Sequence, residues 1–361
     1  MTHFHGSDLE KIEAAYGIKK ETIINFSSNV NPLGLSDSIK TYLPRKIELI
    51  AAYPDRNYTS LKSAIGHYIN MDSENIIVGN GSTELISLCI KAISPKKALI
   101  IGPTYSEYER EINLCGGSST YYALPENNFF EIEINHLINQ FSTDLDLLVI
   151  CNPNNPTSTA ITAIKMKEIL NACKENNIFV LIDETYVEFV DDLFNVSAIQ
   201  LVHSFNNVMV IRGVSKFFAA PGLRLGYAIC SSRTHILNIE RFKNPWTINA
   251  LAAYAGELML MDKDYINKTQ QYIATERKKI ISMLSTWDFV EFINPVANFI
   301  LVKILSESID ARKLFNILLE HKIMIRDASN FPFLGKQYFR FCFLHSEEND
   351  LLLKHLEDIL S

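Results

Sequence analysis

The feature that most constrains the fold is a pair of apolar runs that each end in a polar turn. Residues 147–151 and 178–182 are continuously apolar, as expected for strands buried on both faces of a parallel sheet. They lie about thirty residues apart, which leaves room for the crossover that two parallel strands require. We therefore expect an α/β protein with a mostly parallel sheet.

The ends of these runs predict a ligand site, because ligands collect at the carboxyl ends of strands in open α/β sheets. Asp183 follows the second run directly, and Tyr186 comes three residues later, close enough to offer a phenol to the same ligand. Two Asn-Pro pairs in residues 152–157 fix the backbone direction and leave amide side chains free for hydrogen bonds. A lone aspartate at such a place more often caps the following turn, and that alternative stays open here.

A third apolar run, residues 76–78, leads into a glycine-rich turn and then a helical pattern. Free backbone amides at the start of a helix, with the hydroxyls of Ser82 and Thr83 beside them, form a site for phosphate. A dinucleotide site is disfavoured, because its fingerprint requires a third glycine where this chain has Glu84.

The stretch 214–227 places Lys216 and Arg224 eight residues apart in otherwise apolar surroundings. A lysine beside Phe217 and Phe218 tends to have its pKa lowered by desolvation, which favours the neutral amine that attacks a carbonyl group. Alternatively, its stem packs on these neighbours while the ammonium group reaches water.

These four motifs, in this order, resemble the fold-type I pyridoxal-phosphate enzymes of the class I/II aminotransferase family, over residues 25–340. The resemblance implies an aspartate aminotransferase-like α/β fold and pyridoxal 5′-phosphate as the cofactor. It also implies an N-terminal arm (1–45), a large cofactor domain with a mostly parallel sheet (46–240), and a linking helix with a smaller α+β domain (241–361).

The resemblance implies a role for each motif. Lys216 bonds covalently to the cofactor, and Asp183 pairs with the pyridine nitrogen, which makes the ring a better electron sink. Asn155 and Tyr186 hydrogen-bond the ring hydroxyl, and Tyr105 resembles the aromatic residue that stacks on the ring. The residues implied to bind the cofactor phosphate are Gly81, Ser82, Thr83, Ser215, Arg224 and, from a neighbouring subunit, Tyr58. That last contact implies a homodimer.

Substrate residues follow from the same resemblance. Arg340, in a short aromatic strand, resembles the arginine that clamps the substrate α-carboxylate through two parallel hydrogen bonds. Arg326 resembles a second substrate arginine, for a phosphate; either arginine could instead form a surface or dimer salt bridge. Weaker candidates for the same pocket are His5, Asn29, Asn31 and Asn298.

Several segments point to one branch of the family. Residues 5–7, 25–34, 216–224, 245–249 and 325–331 resemble the threonine-phosphate decarboxylases of cobalamin biosynthesis. We expect a small phosphorylated amino acid or amine as the substrate, with decarboxylation of L-threonine O-3-phosphate as the first hypothesis. The alternative is transamination of histidinol phosphate with glutamate and 2-oxoglutarate, as in histidine biosynthesis, because those aminotransferases share the fold and almost all cofactor contacts.

Two positions depart from the family pattern. Ser158 stands where the Asn-Pro turn usually carries a glycine, and Gly213 stands where a hydroxyl residue is common. The first could alter the turn, and the second leaves one donor fewer for the cofactor phosphate.

Composition excludes some other classes. A net charge of −7 without a long basic run argues against nucleic acid as the main partner. No apolar run approaches the roughly 20 residues of a membrane span, so no membrane association is expected. The six cysteines are dispersed without a CxxC pair, which predicts no metal site and fits a reducing cytoplasm.

Overall fold

The computed structural model describes residue 6 and residues 8–361, so the predicted substrate residue His5 lies outside the described residues. The α-helices are α1 (Leu9–Tyr16), α2 (Asp37–Tyr42), α3 (Thr59–Ile69), α4 (Gly81–Ile93), α5 (Glu107–Leu114), α6 (Ile134–Ile138), α7 (Ala163–Glu175), α8 (Leu193–Val196), α9 (Arg233–Phe242), α10 (Ala250–Met261), α11 (Lys263–Leu284), α12 (Ala311–Glu320) and α13 (Ser346–Leu360). The strands are β1 (Ile24–Asn25), β2 (Ile76–Gly79), β3 (Lys97–Gly102), β4 (Ser118–Ala123), β5 (Leu147–Cys151), β6 (Phe179–Asp183), β7 (Val208–Gly213), β8 (Gly226–Ile229), β9 (Val290–Phe292), β10 (Phe299–Ile304), β11 (Ile323–Met324), β12 (Arg326–Asp327) and β13 (Tyr338–Cys342).

A seven-stranded sheet organises the first two thirds of the chain, in the order β2-β8-β7-β6-β5-β3-β4. Only β8 runs against its neighbours. Strands β5 and β6 are buried along their whole length, which accounts for their uninterrupted apolar sequences. The register pairs Cys151 with Asp183, so the two strand ends singled out from the sequence lie side by side. The α/β fold class is confirmed.

A second, antiparallel sheet lies in the last third of the chain, in the order β12-β13-β10-β9. Its neighbour α12 buries Leu314, Phe315 and Leu318, a one-sided pattern typical of a helix that covers a core. Strand β1 pairs in parallel with β11, so the N-terminal segment joins this C-terminal part. The division into an N-terminal arm, a large domain and a smaller domain, with boundaries at residues 45 and 240, stays a prediction.

In the part of the chain that the structure describes, no helix is both long enough and apolar enough to cross a membrane.

Candidate active site

The predicted residues meet at the carboxyl ends of the strands of the large sheet. Asp183 is the last residue of β6, and Lys216 lies three residues after the end of the adjacent β7. Asn155 lies in the turn after β5, and α4 begins at Gly81, directly after β2. The topology therefore gathers the four sequence motifs at one edge of the sheet.

Asp183 is a buried carboxylate, only 4% exposed. Its Oδ2 accepts from the Tyr108 hydroxyl at 2.7 Å, and its Oδ1 accepts from the backbone N–H and the hydroxyl of Thr185 at 2.9 and 2.5 Å. Burial raises its pKa, and the donated hydrogen bonds act in the opposite direction. Among the described residues no cation forms an ion pair with it, so the site can accept a cationic group of a ligand.

Lys216 is partly buried, and its Nζ donates to the backbone carbonyl of Ser28 at 2.6 Å. Burial, and secondarily the positive charge of Arg340, lower its pKa to about 8. The apolar neighbours in the sequence predicted this direction. Near neutral pH a useful fraction of the amine is therefore uncharged and nucleophilic.

The N-terminus of α4 forms a cradle in which glycine is required. Gly81 has φ +81°, and a Cβ there would lie 2.6 Å from Nη2 of Arg224. A Cβ on Gly226 would lie 2.6 Å from the backbone nitrogen of Ser82, whereas one on Gly213 would lie at an ordinary contact distance of 3.7 Å from the Ser82 hydroxyl, so Gly213 adjoins the cradle without being required there. Free helix amides, hydroxyl groups and a guanidinium group therefore converge on one small space, which suits a phosphate.

Thr83, Ser215 and Tyr105 lie around this cradle. Thr83 is in the first turn of α4, and Ser215 directly precedes Lys216. Tyr105, in the loop between β3 and α5, hydrogen-bonds Thr83, and burial raises its pKa to about 12. Its ring meets that of Tyr108 edge-on, with 5.7 Å between centroids.

Arg340 is buried at the centre of β13. Its Nη2 donates to the Ser27 carbonyl at 2.7 Å, its Nη1 donates to Oδ1 of Asn155, and its guanidinium carbon lies 5.3 Å from the Phe299 ring centroid. Its Nε has no hydrogen-bond partner among the described residues. The side chain is thus held in place while one charged donor remains available to a ligand.

Arg326 is the cross-strand partner of Arg340. Its Nη2 donates to Oδ1 of Asn330 at 2.8 Å, and its guanidinium carbon lies 5.3 Å from the Phe331 ring centroid. Burial first, and then the charge of Arg340, lower its pKa to about 10. Both arginines line one small cavity, together with Gly6, Thr104, Tyr105, Ser106, Asn155, Asn330, Phe331 and Pro332.

Asn29, Asn298 and Tyr186 form a buried polar group beside the arginines. Nδ2 of Asn29 donates to the Tyr186 hydroxyl at 3.4 Å, and Nδ2 of Asn298 donates to the Asn29 carbonyl at 3.1 Å. Within residues 6 and 8–361, both Oδ1 atoms lack a hydrogen-bond partner. Buried polar atoms are normally hydrogen-bonded, so these two acceptors suit the donor groups of a bound ligand.

Asn31 contacts the protein instead of opening into the cavity. Its backbone N–H donates to the Lys216 carbonyl at 3.0 Å. Its Nδ2 lies within hydrogen-bond distance of the Phe217 carbonyl and the hydroxyls of Tyr265 and Thr269, at 2.8, 2.9 and 3.0 Å. Asn31 thus stabilises the backbone at Lys216 and Phe217. Its contact with substrate stays a prediction.

Tyr58 is likewise engaged within its own chain. It is 3% exposed, and its hydroxyl donates to the carbonyl of Ile248 and accepts from the N–H of the same residue, each at 3.0 Å. Its reach to the phosphate of a neighbouring subunit stays a prediction.

The structure also shows what Ser158 and Tyr108 contact near the site. Ser158 adopts φ +58°, the region that glycine prefers, and its hydroxyl accepts from the Ala297 N–H at 3.0 Å, which ties the Asn-Pro turn to the segment before β10. Tyr108, which contacts Asp183, was not among the residues predicted from the sequence. The one signal in the sequence was its position three residues after Tyr105, close enough along the chain for the two rings to meet.

These features fit pyridoxal 5′-phosphate. The cradle suits its phosphate, the buried Asp183 suits its ring nitrogen, and the Lys216 amine suits its aldehyde. Together the fold and the site define a pyridoxal-phosphate-dependent enzyme with the aminotransferase fold.

Comparison with known proteins identifies the family. The model of the aminotransferase class I and II family matches residues 21–356, and the chain belongs to this family, with pyridoxal phosphate as its cofactor. One relative is a protein of Caldanaerobacter subterraneus subsp. tengcongensis that is provisionally described as a threonine-phosphate decarboxylase. It is 40% identical over 92% of this chain and 89% of its own length. The threonine-phosphate decarboxylase of Salmonella typhimurium is 30% identical over 99% of this chain and 96% of its own.

A solved structure gives the same fold. The histidinol-phosphate aminotransferase of Clostridium acetobutylicum superposes with a TM-score of 0.87 at 34% identity. The match covers 92% of this chain and 98% of that protein.

Proposed function

We propose that the chain decarboxylates a small O-phosphorylated amino acid, with L-threonine O-3-phosphate as the substrate. The observation that carries this proposal is the pair Arg326 and Arg340, two buried cations that line one cavity. Two neighbouring cations suit a substrate with two anionic groups, and an O-phosphorylated amino acid has a carboxylate and a phosphate. The two decarboxylase-named relatives support the same reaction.

Each residue has a defined task in this proposal. Arg340 binds the carboxylate through its available Nε, and Arg326, steadied by Asn330, binds the substrate phosphate. Pyridoxal phosphate, when bound, supplies an electron sink for the pair left at the substrate Cα. Asp183 pairs with the ring nitrogen, and Lys216 Nζ, with a pKa of about 8, carries protons at Cα near neutral pH.

Decarboxylation breaks the bond between the substrate Cα and its carboxylate group, so the residues that hold the substrate would have to direct that bond toward the cofactor. Carbon dioxide leaves, the electron pair stays at Cα, and one proton replaces the carboxyl group. Holding the carboxylate with Arg340 and the phosphate with Arg326 would fix the substrate at both ends.

Transamination of histidinol phosphate is the second candidate, favoured by the TM-score of 0.87 with the aminotransferase from Clostridium acetobutylicum. In that reaction Lys216 Nζ removes the Cα proton instead. Histidinol phosphate has a single anionic group, so one of the two arginines would contact only the carboxylates of glutamate.

We propose a homodimer as the working form, located in the cytoplasm. Residues Leu43–Ala51 form a segment with no buried residue, and Ile50 and Tyr53 are 65% and 82% exposed. Apolar surface of this kind supports a contact with a second copy. All six cysteines are free thiols, as suits a reducing compartment.

The test is to give the holoenzyme L-threonine O-phosphate, and separately histidinol phosphate with 2-oxoglutarate, while following carbon dioxide and glutamate together. We expect carbon dioxide from the first mixture and no glutamate from the second. Glutamate without carbon dioxide would make the chain an aminotransferase. Lys216→Ala is the negative control and should lose both turnover and the visible absorbance of the lysine-bound cofactor, whereas Lys354→Ala, an exposed lysine on α13, should keep both.

A further inference from the structure

We propose that Tyr108 is a positioning residue, whose hydroxyl keeps the Asp183 carboxylate oriented toward the cofactor ring and whose ring supports Tyr105. The inference rests on the proposed cofactor role of Asp183. It concerns a side chain of α5 that does not reach the reacting atoms itself.

The first support is the geometry at the carboxylate. Tyr108 is 1% exposed, and its hydroxyl donates to Oδ2 of Asp183 at 2.7 Å. Oδ1 is already occupied by the N–H and the hydroxyl of Thr185. Of the described residues, Tyr108 is therefore the side chain that fixes the second oxygen, and the carboxylate cannot rotate without breaking a buried hydrogen bond.

The second support is that Tyr108 also contacts Tyr105. The two rings meet edge-on at an angle of 87°. One side chain thus touches the two groups that are proposed to meet the cofactor, the acid at its ring nitrogen and the aromatic ring on its face. Such a link keeps the acid and the stacking ring in a fixed relative position.

The third support is electrostatic. Asp183 must be ionised to pair with a protonated ring nitrogen, whereas burial raises its pKa. The other titratable groups that face it are Cys151 on β5, Tyr105 from the loop before α5, and Tyr186 from the loop after β6. All three are neutral near pH 7 and supply no positive charge. The hydrogen bonds from Tyr108 and Thr185 therefore oppose the rise in pKa that burial causes, and so favour the ionised carboxylate.

The experiment measures the dissociation constant of pyridoxal phosphate for Tyr108→Phe and for the wild-type apo chain across a pH range. The ratio of the two constants cancels the ionisations of free pyridoxal phosphate. Without the phenol the pKa of Asp183 rises, so the ratio should be about tenfold at low pH and shrink as pH rises and Asp183 ionises in both proteins. A constant ratio indicates a purely structural role, and a ratio of one at every pH overturns the proposal as well.

The matched control is Tyr122→Phe. Tyr122 lies on the edge strand β4 and is also fully buried. Its hydroxyl donates to the Glu133 carbonyl at 3.2 Å. We expect a ratio of one at every pH. The unfolding midpoint of each apo variant, measured first, verifies that the variants fold.

A second comparison uses Asp183→Asn with and without Tyr108→Phe. Both proteins lack the buried charge, so neither contains the hydrogen bond from Tyr108 to a carboxylate, and the unfolding midpoint of each is again measured first. If Tyr108 acts through the carboxylate, the added substitution should leave the dissociation constant unchanged; a further tenfold loss would overturn the proposal. Failure of the wild-type chain to bind pyridoxal phosphate would instead refute the proposed function itself.

Discussion

Arg326 and Arg340 stand directly opposite each other on the antiparallel strands β12 and β13, and both are buried. Like charges at opposite positions of a sheet destabilise it, and burial adds a desolvation cost. Burial lowers the pKa of both guanidinium groups, and the charge of Arg340 lowers that of Arg326 further. In the proposed function, an anionic substrate bound between the two arginines relieves both costs at once.

The division of labour between the two arginines gives the first prediction. Arg326→Gln should raise KM for L-threonine O-phosphate roughly 10- to 150-fold with little change in kcat, because it removes a charge-assisted contact to the phosphate. With unphosphorylated threonine the same substitution should have little effect, whereas Arg340→Gln should impair both substrates. Arg110→Gln, a mostly exposed arginine on α5, serves as the control. Equal losses of Arg326→Gln on both substrates would show that Arg326 does not bind the phosphate.

The glycine at the start of α4 gives the second prediction. Gly81→Ala should weaken pyridoxal phosphate binding by about tenfold or more, because the new Cβ meets Arg224 and the backbone has φ +81°. Gly116→Ala is the matched control: its φ is +79°, and nothing lies within 4 Å of the added atom. Fluorescence titration of the apo chains measures the difference. Similar dissociation constants for the two variants would argue against the cradle.

The pKa of Lys216 gives the third prediction. The rate at which the apo chain captures pyridoxal phosphate should rise with pH, with a midpoint near 8 instead of the 10.5 of an ordinary lysine. Arg340→Gln removes a nearby positive charge that favours deprotonation, so its midpoint should move to higher pH. Stopped-flow absorbance measures both curves. A wild-type midpoint near 10.5 would show that the amine is not desolvated.

A buried ion pair next to the site gives the fourth prediction. Nε of Arg212 donates to Oε2 of Glu184 at 2.9 Å, and both side chains are almost fully buried. Glu188 lies close to the same guanidinium group, at 3.7 Å. Arg212→Met should destabilise the apo chain by about 3–5 kcal/mol, because it leaves two carboxylates buried without their cation. Urea unfolding measures this loss, and a change below about 1 kcal/mol would contradict it.

Much of the fold could be predicted from the sequence, because it depends on local patterns. The uninterrupted apolar runs became β5 and β6, and the third apolar run with its helical pattern became β2 and α4. The pKa of Lys216 moved in the direction that its apolar neighbours predicted.

Other features depend on contacts between distant segments, which a single sequence does not contain. The role of Asn31 as a support for the Lys216 turn arises only when α11 brings Tyr265 and Thr269 beside it. The bond from Tyr108 to Asp183 joins residues 75 positions apart. The pairing of Arg326 with Arg340 required the register of β12 and β13.

The central claim, that this site releases carbon dioxide from a phosphorylated amino acid, is tested most directly by NMR in D₂O. The holoenzyme is given L-threonine O-phosphate labelled with ¹³C in its carboxyl group. The proposed function predicts one equivalent of labelled carbon dioxide or bicarbonate per substrate consumed, and a single deuteron at the carbon that carried the carboxyl group. Label that stays in the product, with exchange of the Cα hydrogen or formation of a keto acid, would contradict it.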